Sequence, residues 1–235
     1  KGRNQFWTGR DSQATAEIFL VSDRKFVSVG SMRVPRAGHT MTKLSDGRVL
    51  IVGGFKVDHE SMGEGISSAE IFDPKFNRFI KIKSRLRFGR GHHTAVKLKD
   101  GRVLIIGGYT SENKATNRLE IFDPETSSFN LVKEELNEAR AYHQSVLLPD
   151  GKVFIVGGER EHSPRRNVTD ACNTCSKTAE IFDPYSGIST KTTAEMNVPR
   201  SQFSATLTND NRVIIIGGKG NGARFSASMF EFSEF

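Results

Sequence analysis

The sequence predicts an all-β chain, four-stranded antiparallel units arranged as the blades of a β-propeller, and three observations lead there. A hexapeptide recurs, as AEIFDP at 69–74 and 179–184, LEIFDP at 119–124 and, in part, AEIFLV at 16–21. Its glutamates, Glu17, Glu70, Glu120 and Glu180, stand 53, 50 and 60 residues apart. The diglycines Gly53-Gly54, Gly107-Gly108, Gly157-Gly158 and Gly217-Gly218 keep nearly the same step, at 54, 50 and 60. A unit of about fifty residues is therefore copied along the chain, and a period of that length decides the architecture before any local reading does. The third observation is that no stretch carries the apolar period of an amphipathic helix.

Each unit divides into strands. HTMTKL-SDG-RVLIVGG, HTAVKL-KDG-RVLIIGG, HQSVLL-PDG-KVFIVGG and FSATLT-NDN-RVIIIGG are pairs of β-branched, apolar runs around Asp-Gly or Asp-Asn, residues that accept positive φ in a tight hairpin. These are first and second strands. After the diglycine, a loop of variable length leads to AEIFD as the third strand. A Pro-containing turn then leads to a short fourth strand, marked by Phe26, Phe79, Phe129 and Ile188. Four antiparallel strands per repeat describe a propeller blade.

The diglycine closing the second strand, the Arg-x-x-His before the first (Arg36 to His39, Arg90 to His93, Arg140 to His143, with Arg200 to Phe203 as a variant) and the period together resemble kelch repeats. The likeness covers nearly the whole chain. The wording RAGHTMTKLSDGRVLIVGG is closest to bacterial kelch proteins, while the fourth-strand Trp of many kelch repeats is replaced here by Phe. The expected organisation is one domain over 1–235, with units at about 31–84, 85–134 and 135–192 and partial units at 1–30 and 193–235. The first partial unit supplies third and fourth strands; the last supplies a first, a second and a third, ASMFEF at 227–232. Simple closure would leave a surplus strand, so the expectation is a part of a six- or seven-bladed ring, a small ring with an irregular last blade, or a ring completed by a dimer.

The chain of 235 residues has an ordinary charged and apolar balance, and no apolar run reaches the ~20 residues of a membrane span. Its opening, KGRNQFWTGR, is polar and does not read as a signal peptide, so any targeting segment would be upstream or removed. The net charge of +7 and pI near 9.5 point to an anionic partner. Nucleic acid is disfavoured, because the basic stretches lack interleaved stacking aromatics.

Strand alternation puts the second-to-third and fourth-to-first connections on one face and the Asp-Gly hairpins and FDP turns on the other. The connections at 55–68, 109–118, 159–178 and 219–226 vary between units, and variable loops on a rigid scaffold are where binding residues gather. The repeats also act as an internal control. A residue that the blade requires appears in every unit, whereas one that a ligand requires appears in one or two. By that test Gly53, Gly54, Gly107, Gly108, Gly157, Gly158, Gly217, Gly218 and the four glutamates are structural, and one Arg with one Glu per blade suggests a buried pair. Arg36 and Arg200 are assigned to that structural set. Kelch substrate adaptors of ubiquitin ligases, however, use arginines near this position to bind acidic peptide, so the resemblance leaves a binding role open for the Arg series beside the structural one, and Arg90 and Arg140 are placed in the binding set. From Lys75 to Lys99 nine basic residues, Arg85 and Arg87 among them, occur with no acidic one. The long loop adds Arg160, His162, Arg165 and Arg166. These eight residues, Arg85, Arg87, Arg90, Arg140, Arg160, His162, Arg165 and Arg166, form the expected binding set, for an acidic protein segment or an acidic glycan.

Cys172 and Cys175 form a lone CxxC in that loop; too few further ligands lie near for zinc, and a disulfide in an oxidising, extracytoplasmic compartment is expected. Asn167-Val168-Thr169 matches a glycosylation sequon. RAYHQSVLLPDGKVF (140–154) is similar to the galactose oxidase segment whose adjacent Tyr and His bind copper, here Tyr142 and His143, but the second Tyr-Cys pair and further His of that site find no match. His39 and His93 share the slot of His143, which makes it read as structural. Sialate-epimerizing kelch enzymes supply a second catalytic alternative. With no triad, metal cluster or phosphate loop in view, the expected function is a non-catalytic binding module with no cofactor.

Overall fold

The computed structural model describes residues 11–57, 62–110, 114–161, 172, 174–220 and 227–231, and all regular structure among them is β. Three complete four-stranded meanders follow one another. The first comprises Thr40–Lys43, Val49–Val52, Ala69–Asp73 and Arg78–Lys81; the second Thr94–Lys97, Val103–Ile106, Leu119–Asp123 and Ser128–Leu131; the third Gln144–Leu147, Val153–Val156, Ala179–Phe182 and Ser189–Lys191. An antiparallel pair, Glu17–Leu20 with Lys25–Ser28, precedes them, and a three-stranded sheet of Ser204–Leu207, Arg212–Ile216 and Ala227–Glu231 follows. The first strands of successive sheets are neighbours, which places them innermost and makes the sheets the blades of a propeller.

The apolar second strands explain the stacking. Val103, Leu104, Ile105 and Ile106 are all buried. Val103 and Ile105 pack toward the preceding blade with Leu50, Val52 and Ile71, while Leu104 and Ile106 pack toward the next with Val153, Ile155 and Phe182. Phe154 and Val156 repeat the arrangement against Val213 and Ile215. A strand covered on both faces needs an unbroken apolar run, and each such side chain contributes about 1.5–3 kcal/mol on burial.

Turn chemistry follows the sequence reading. In the Asp-Gly hairpins Asp46, Asp100 and Asp150 accept from the backbone N–H two residues on at 3.0 Å, and Gly47, Gly101 and Gly151 take φ of +86°, +89° and +92°. Asn211 fills the equivalent place at +61°. On the fourth strands one expectation is corrected. Phe72 pairs with Phe79 and Phe122 with Phe129, ring centroids 5.0 and 4.9 Å apart, but Phe182 pairs with Ser189. Ile188 therefore sits one place earlier, outside the strand and 55% exposed. Gly187, at φ +77°, occupies the turn position of Asn77 and Ser127, and the register is counted from it.

The recurring charges tie each blade to itself and to the next. Arg36, Arg90 and Arg140 pair with Glu70, Glu120 and Glu180 at 3.0, 2.8 and 3.0 Å, with both side chains of each pair at most 1% exposed. Each guanidinium also donates to the carbonyl of the first glycine of its blade's diglycine, at 2.7, 3.0 and 2.9 Å; Arg200 reaches Gly217 O at 3.0 Å. The glutamates accept in addition from backbone N–H groups of the loop entering the blade, Arg33 and Val34, Arg87, or Asn137 and Glu138. In the last sheet the register puts Ser228 where Glu180 stands in the third blade.

The second glycine makes the link between blades. Gly54, Gly108 and Gly158 donate to the carbonyls of Arg90, Arg140 and Arg200 at 2.8, 2.7 and 2.9 Å. A Cβ on Gly54 would meet Ala37 O at 2.8 Å, and its φ is +97°, so glycine is required on both counts. The histidine of each motif adds a second link, His93 Nε2 to Thr40 Oγ1 and His143 Nε2 to Thr94 Oγ1, both 2.8 Å. Where Phe203 replaces the histidine, Gln144 replaces the threonine and donates to Phe203 O at 2.8 Å. Burial first, and Arg140 second, push the His143 imidazole down to about 3. Burial and Arg90 hold His93 well below its ordinary value, and burial and Arg36 lower His39.

Candidate functional site

Two positions that share a register but not a residue type meet on the variable-loop face. The residue before each motif histidine or its Phe replacement is Gly38, His92, Tyr142 or Gln202, and all four take positive φ, at +66°, +54°, +54° and +54°. They form a ladder from blade to blade: His92 N–H donates to Gly38 O at 2.8 Å, Tyr142 to His92 O at 3.0 Å, and Gln202 to Tyr142 O at 3.0 Å. Left-handed backbone at non-glycine residues costs on the order of 1–2 kcal/mol each, and such strain gathers at functional sites. A Cβ at Gly38 would lie 2.6 Å from the His92 ring, which accounts for the glycine there.

The second position directly follows each diglycine: Phe55, Tyr109, Glu159 and Lys219. Phe55, Tyr109 and Glu159 form bridges to Ala37, Gly91 and Ala141 of their own repeats, and Lys219 pairs with Ser201, so all four lie beneath the ladder. Side chains from the two positions combine into a cup. His92 and Tyr142 stack at 4.1 Å between centroids, Phe55 lies 5.5 Å from His92, and Tyr109 meets Tyr142 edge-on at 5.8 Å. The buried Glu159 carboxylate accepts from Tyr109 OH at 3.0 Å and from Ser201 Oγ at 2.5 Å. His92, Tyr142 and Gln202 are half-buried and line the accessible part. Aromatic faces beside amide, imidazole and hydroxyl groups suit a ligand that is held by stacking and hydrogen bonds together.

Around the cup, the connection entering the second blade exposes Lys83, Arg85 and Arg87, and among the described residues no carboxylate pairs with these three side chains. The connection entering the third blade carries Glu134, Glu135 and Glu138 instead, so among the described residues the basic character of the second connection is not shared by the next. The basic stretch from Lys75 to Lys99 is split by the fold. Lys75 and Lys99 lie in turns of the opposite face, and Arg78, Lys81 and Lys97 lie on strands. Arg160 is 58% exposed and faces Glu138 at 3.5 Å. Arg90 and Arg140 are corrected as binding residues: both are 0% exposed and engaged inside their blades, so a partner on this face does not meet them. Their equivalence to Arg36 and Arg200 carried that signal. His162, Arg165 and Arg166, with the sequon at 167–169, lie outside the described residues.

Cys172 and Cys175 are joined in a disulfide. Tyr142 and His143 do not converge on a common centre, since the imidazole is buried against Thr94 while the phenol stacks on His92; the pair does not fit a copper site. The cup residues His92, Gln202, Tyr109, Glu159 and Ser201 escaped the sequence reading, although they differ between repeats at fixed register, and that difference was the available signal.

A family model described as Kelch motif matches residues 90–134. The Saccharomyces cerevisiae tRNA wybutosine-synthesizing protein 4 is 42% identical over 91 residues, which are 37% of this chain and 12% of that protein's length. A solved structure described as YjhT superposes with a TM-score of 0.69 over 91% of this chain and 74% of its own, at 17% identity. A fungal alcohol oxidase of the AA5 family, in complex with copper, gives 0.54 over 95% and 58%, at 18% identity. At those identities the two structures speak to the fold alone. No helix among the described residues is long and apolar enough to cross a membrane. The blade order and the superpositions agree on the fold: the chain is a β-propeller that carries a matched Kelch motif at 90–134 and repeats the diglycine and arginine links of that segment in its other blades.

Proposed function

We propose that this propeller is a non-catalytic binding module that takes an anionic partner, an acidic protein segment or an acidic glycan, on its variable-loop face. The observation that carries the reading is the exposed lobe of Lys83, Arg85 and Arg87 beside the cup, in a chain of net charge +7. Charge draws the partner in, and the stacked His92 and Tyr142 with Gln202 supply short-range selection. The disulfide supports an extracytoplasmic setting for this encounter.

The test is a triple reversal, Lys83→Glu, Arg85→Glu and Arg87→Glu, assayed on arrays of acidic peptides and acidic glycans at low and physiological salt. Binding by the native chain that weakens with salt and is lost in the variant, with thermal unfolding unchanged, is the expected result, because exposed charges contribute about 0–1 kcal/mol each to stability. Binding that ignores both salt and reversal would refute the proposal. A second reading, an enzyme acting on a small acidic sugar, draws on Glu159 with its two hydroxyl donors under the stacked rings. Turnover of an array-positive glycan, followed by NMR, would favour it.

A further inference from the structure

We infer that the CxxC loop and the cup floor together form a redox-gated site for a thiolate-accepting divalent cation of the zinc type. The Cys172 and Cys175 sulfurs and a Glu159 carboxylate oxygen all lie within 4.8 Å of one another. Three features make this more than proximity. Glu159 and Cys175 are paired by a backbone bridge, so the loop stem holds carboxylate and sulfur at fixed spacing. Cys175 N–H donates to Cys172 O at 3.1 Å, closing the turn that would present both sulfurs to one ion. Tyr109 and Ser201 already orient the Glu159 carboxylate, as hydrogen-bonded neighbours orient ligands at metal centres.

In the oxidised chain the sulfurs are bonded to each other and neither is a thiolate, so the site is closed. A thiol reductant opens it. Two electrons and two protons pass to the disulfide, the S–S bond breaks to give two thiols, and two reductant thiols become one disulfide. Cys172 is the more accessible residue, half-buried where Cys175 is 7% exposed, and is the side from which a reductant approaches. A divalent ion then displaces the two thiol protons and gains two thiolates and the carboxylate. Tetrahedral zinc–sulfur and zinc–oxygen bonds of about 2.3 and 2.0 Å require the two sulfurs, bonded to each other in the oxidised chain, to part to roughly 3.8 Å while the carboxylate oxygen closes on them, which the broken disulfide permits. Two sulfurs and one oxygen select zinc or cobalt over calcium or magnesium, and water completes the fourth position. This inference is independent of what the cup binds.

The experiment uses the whole chain, reduced with a phosphine, desalted anaerobically and titrated with Co(II) and then Zn(II). One cobalt per chain, with thiolate-to-cobalt charge-transfer absorption that zinc abolishes, is expected from the reduced protein, and no such absorption from the oxidised one. Cys172→Ser and Cys175→Ser should each weaken binding at least about tenfold, and Glu159→Gln should do so while the charge-transfer band persists. Reduced protein that binds no cobalt, oxidised protein that binds it equally, or full affinity in Glu159→Gln would overturn the assignment. If Glu159→Gln does not fold, the two cysteine variants decide, and native affinity in either is equally fatal.

Discussion

Replacing Glu120 by Gln should destabilise the chain more than the same change at Glu180, although the two glutamates occupy identical places in adjacent blades. Arg90, fully buried, has Glu120 as its charged partner at 2.8 Å; its other acceptors are the carbonyls of Phe88, Gly107 and Arg118. Glu120→Gln therefore leaves a buried guanidinium facing neutral dipoles, a loss of about 3–5 kcal/mol. Arg140 has two carboxylates, Glu180 at 3.0 Å and Glu138 at 3.2 Å, and the second is held by Ser176 and Thr178. Glu180→Gln removes one charge of two and some hydrogen-bond strength from the Asn137 and Ser189 donors, about 1–3 kcal/mol. The difference, about 2 kcal/mol, corresponds to roughly 0.7 M in urea midpoint for a slope of about 3 kcal/mol per M. Urea unfolding at neutral pH, followed by fluorescence and by circular dichroism, reads it. Adding Glu138→Gln to Glu180→Gln should then cost more than the two changes summed. Equal midpoints for the two single variants, or the reverse order, would show that Glu138 does not serve Arg140 and would refute the reasoning.

The buried histidines make stability acid-sensitive. With His143 folded at about 3 and an ordinary unfolded value near 6.5, the unfolded chain takes the proton first, so stability is intact above about 6.5 and falls as pH drops toward 3, by up to about 1.4 kcal/mol per pH unit for each such histidine. Thr94→Gln with His143→Phe, the pairing that Gln144 and Phe203 already use, should reduce that slope in a pH series of denaturant midpoints; an unchanged slope would point to other groups. Gly54→Ala should cost at least about 2 kcal/mol, from backbone strain at φ +97° plus overlap with Ala37 O, whereas Gly47→Ala, at φ +86° with open space around it, should cost about 1 kcal/mol. Similar losses at the two positions in thermal melts would contradict the link assigned to the second glycine.

Much of this architecture is written locally and four times over. Alternation along a strand, the positive φ that Asp-Gly supplies and the apolar run before each diglycine are properties of a few consecutive residues, so strand order and the variable face are legible without coordinates. Repetition then separated blade-forming residues from the rest. Ile188 escaped because one residue of register depends on which turn residue takes positive φ, and Gly187 decided it. Recurrence of one Arg and one Glu per blade pointed to a buried pair, but the acceptors that enclose Arg90 and Arg140, the carbonyl of a glycine 17 residues on and a carboxylate at least 30 residues on, were settled only in three dimensions. The cup is tertiary in the same sense. His92 and Tyr142 are fifty residues apart and become stacked neighbours because the inner strands of successive blades run side by side, an adjacency set by packing between blades and carried by no short segment of chain.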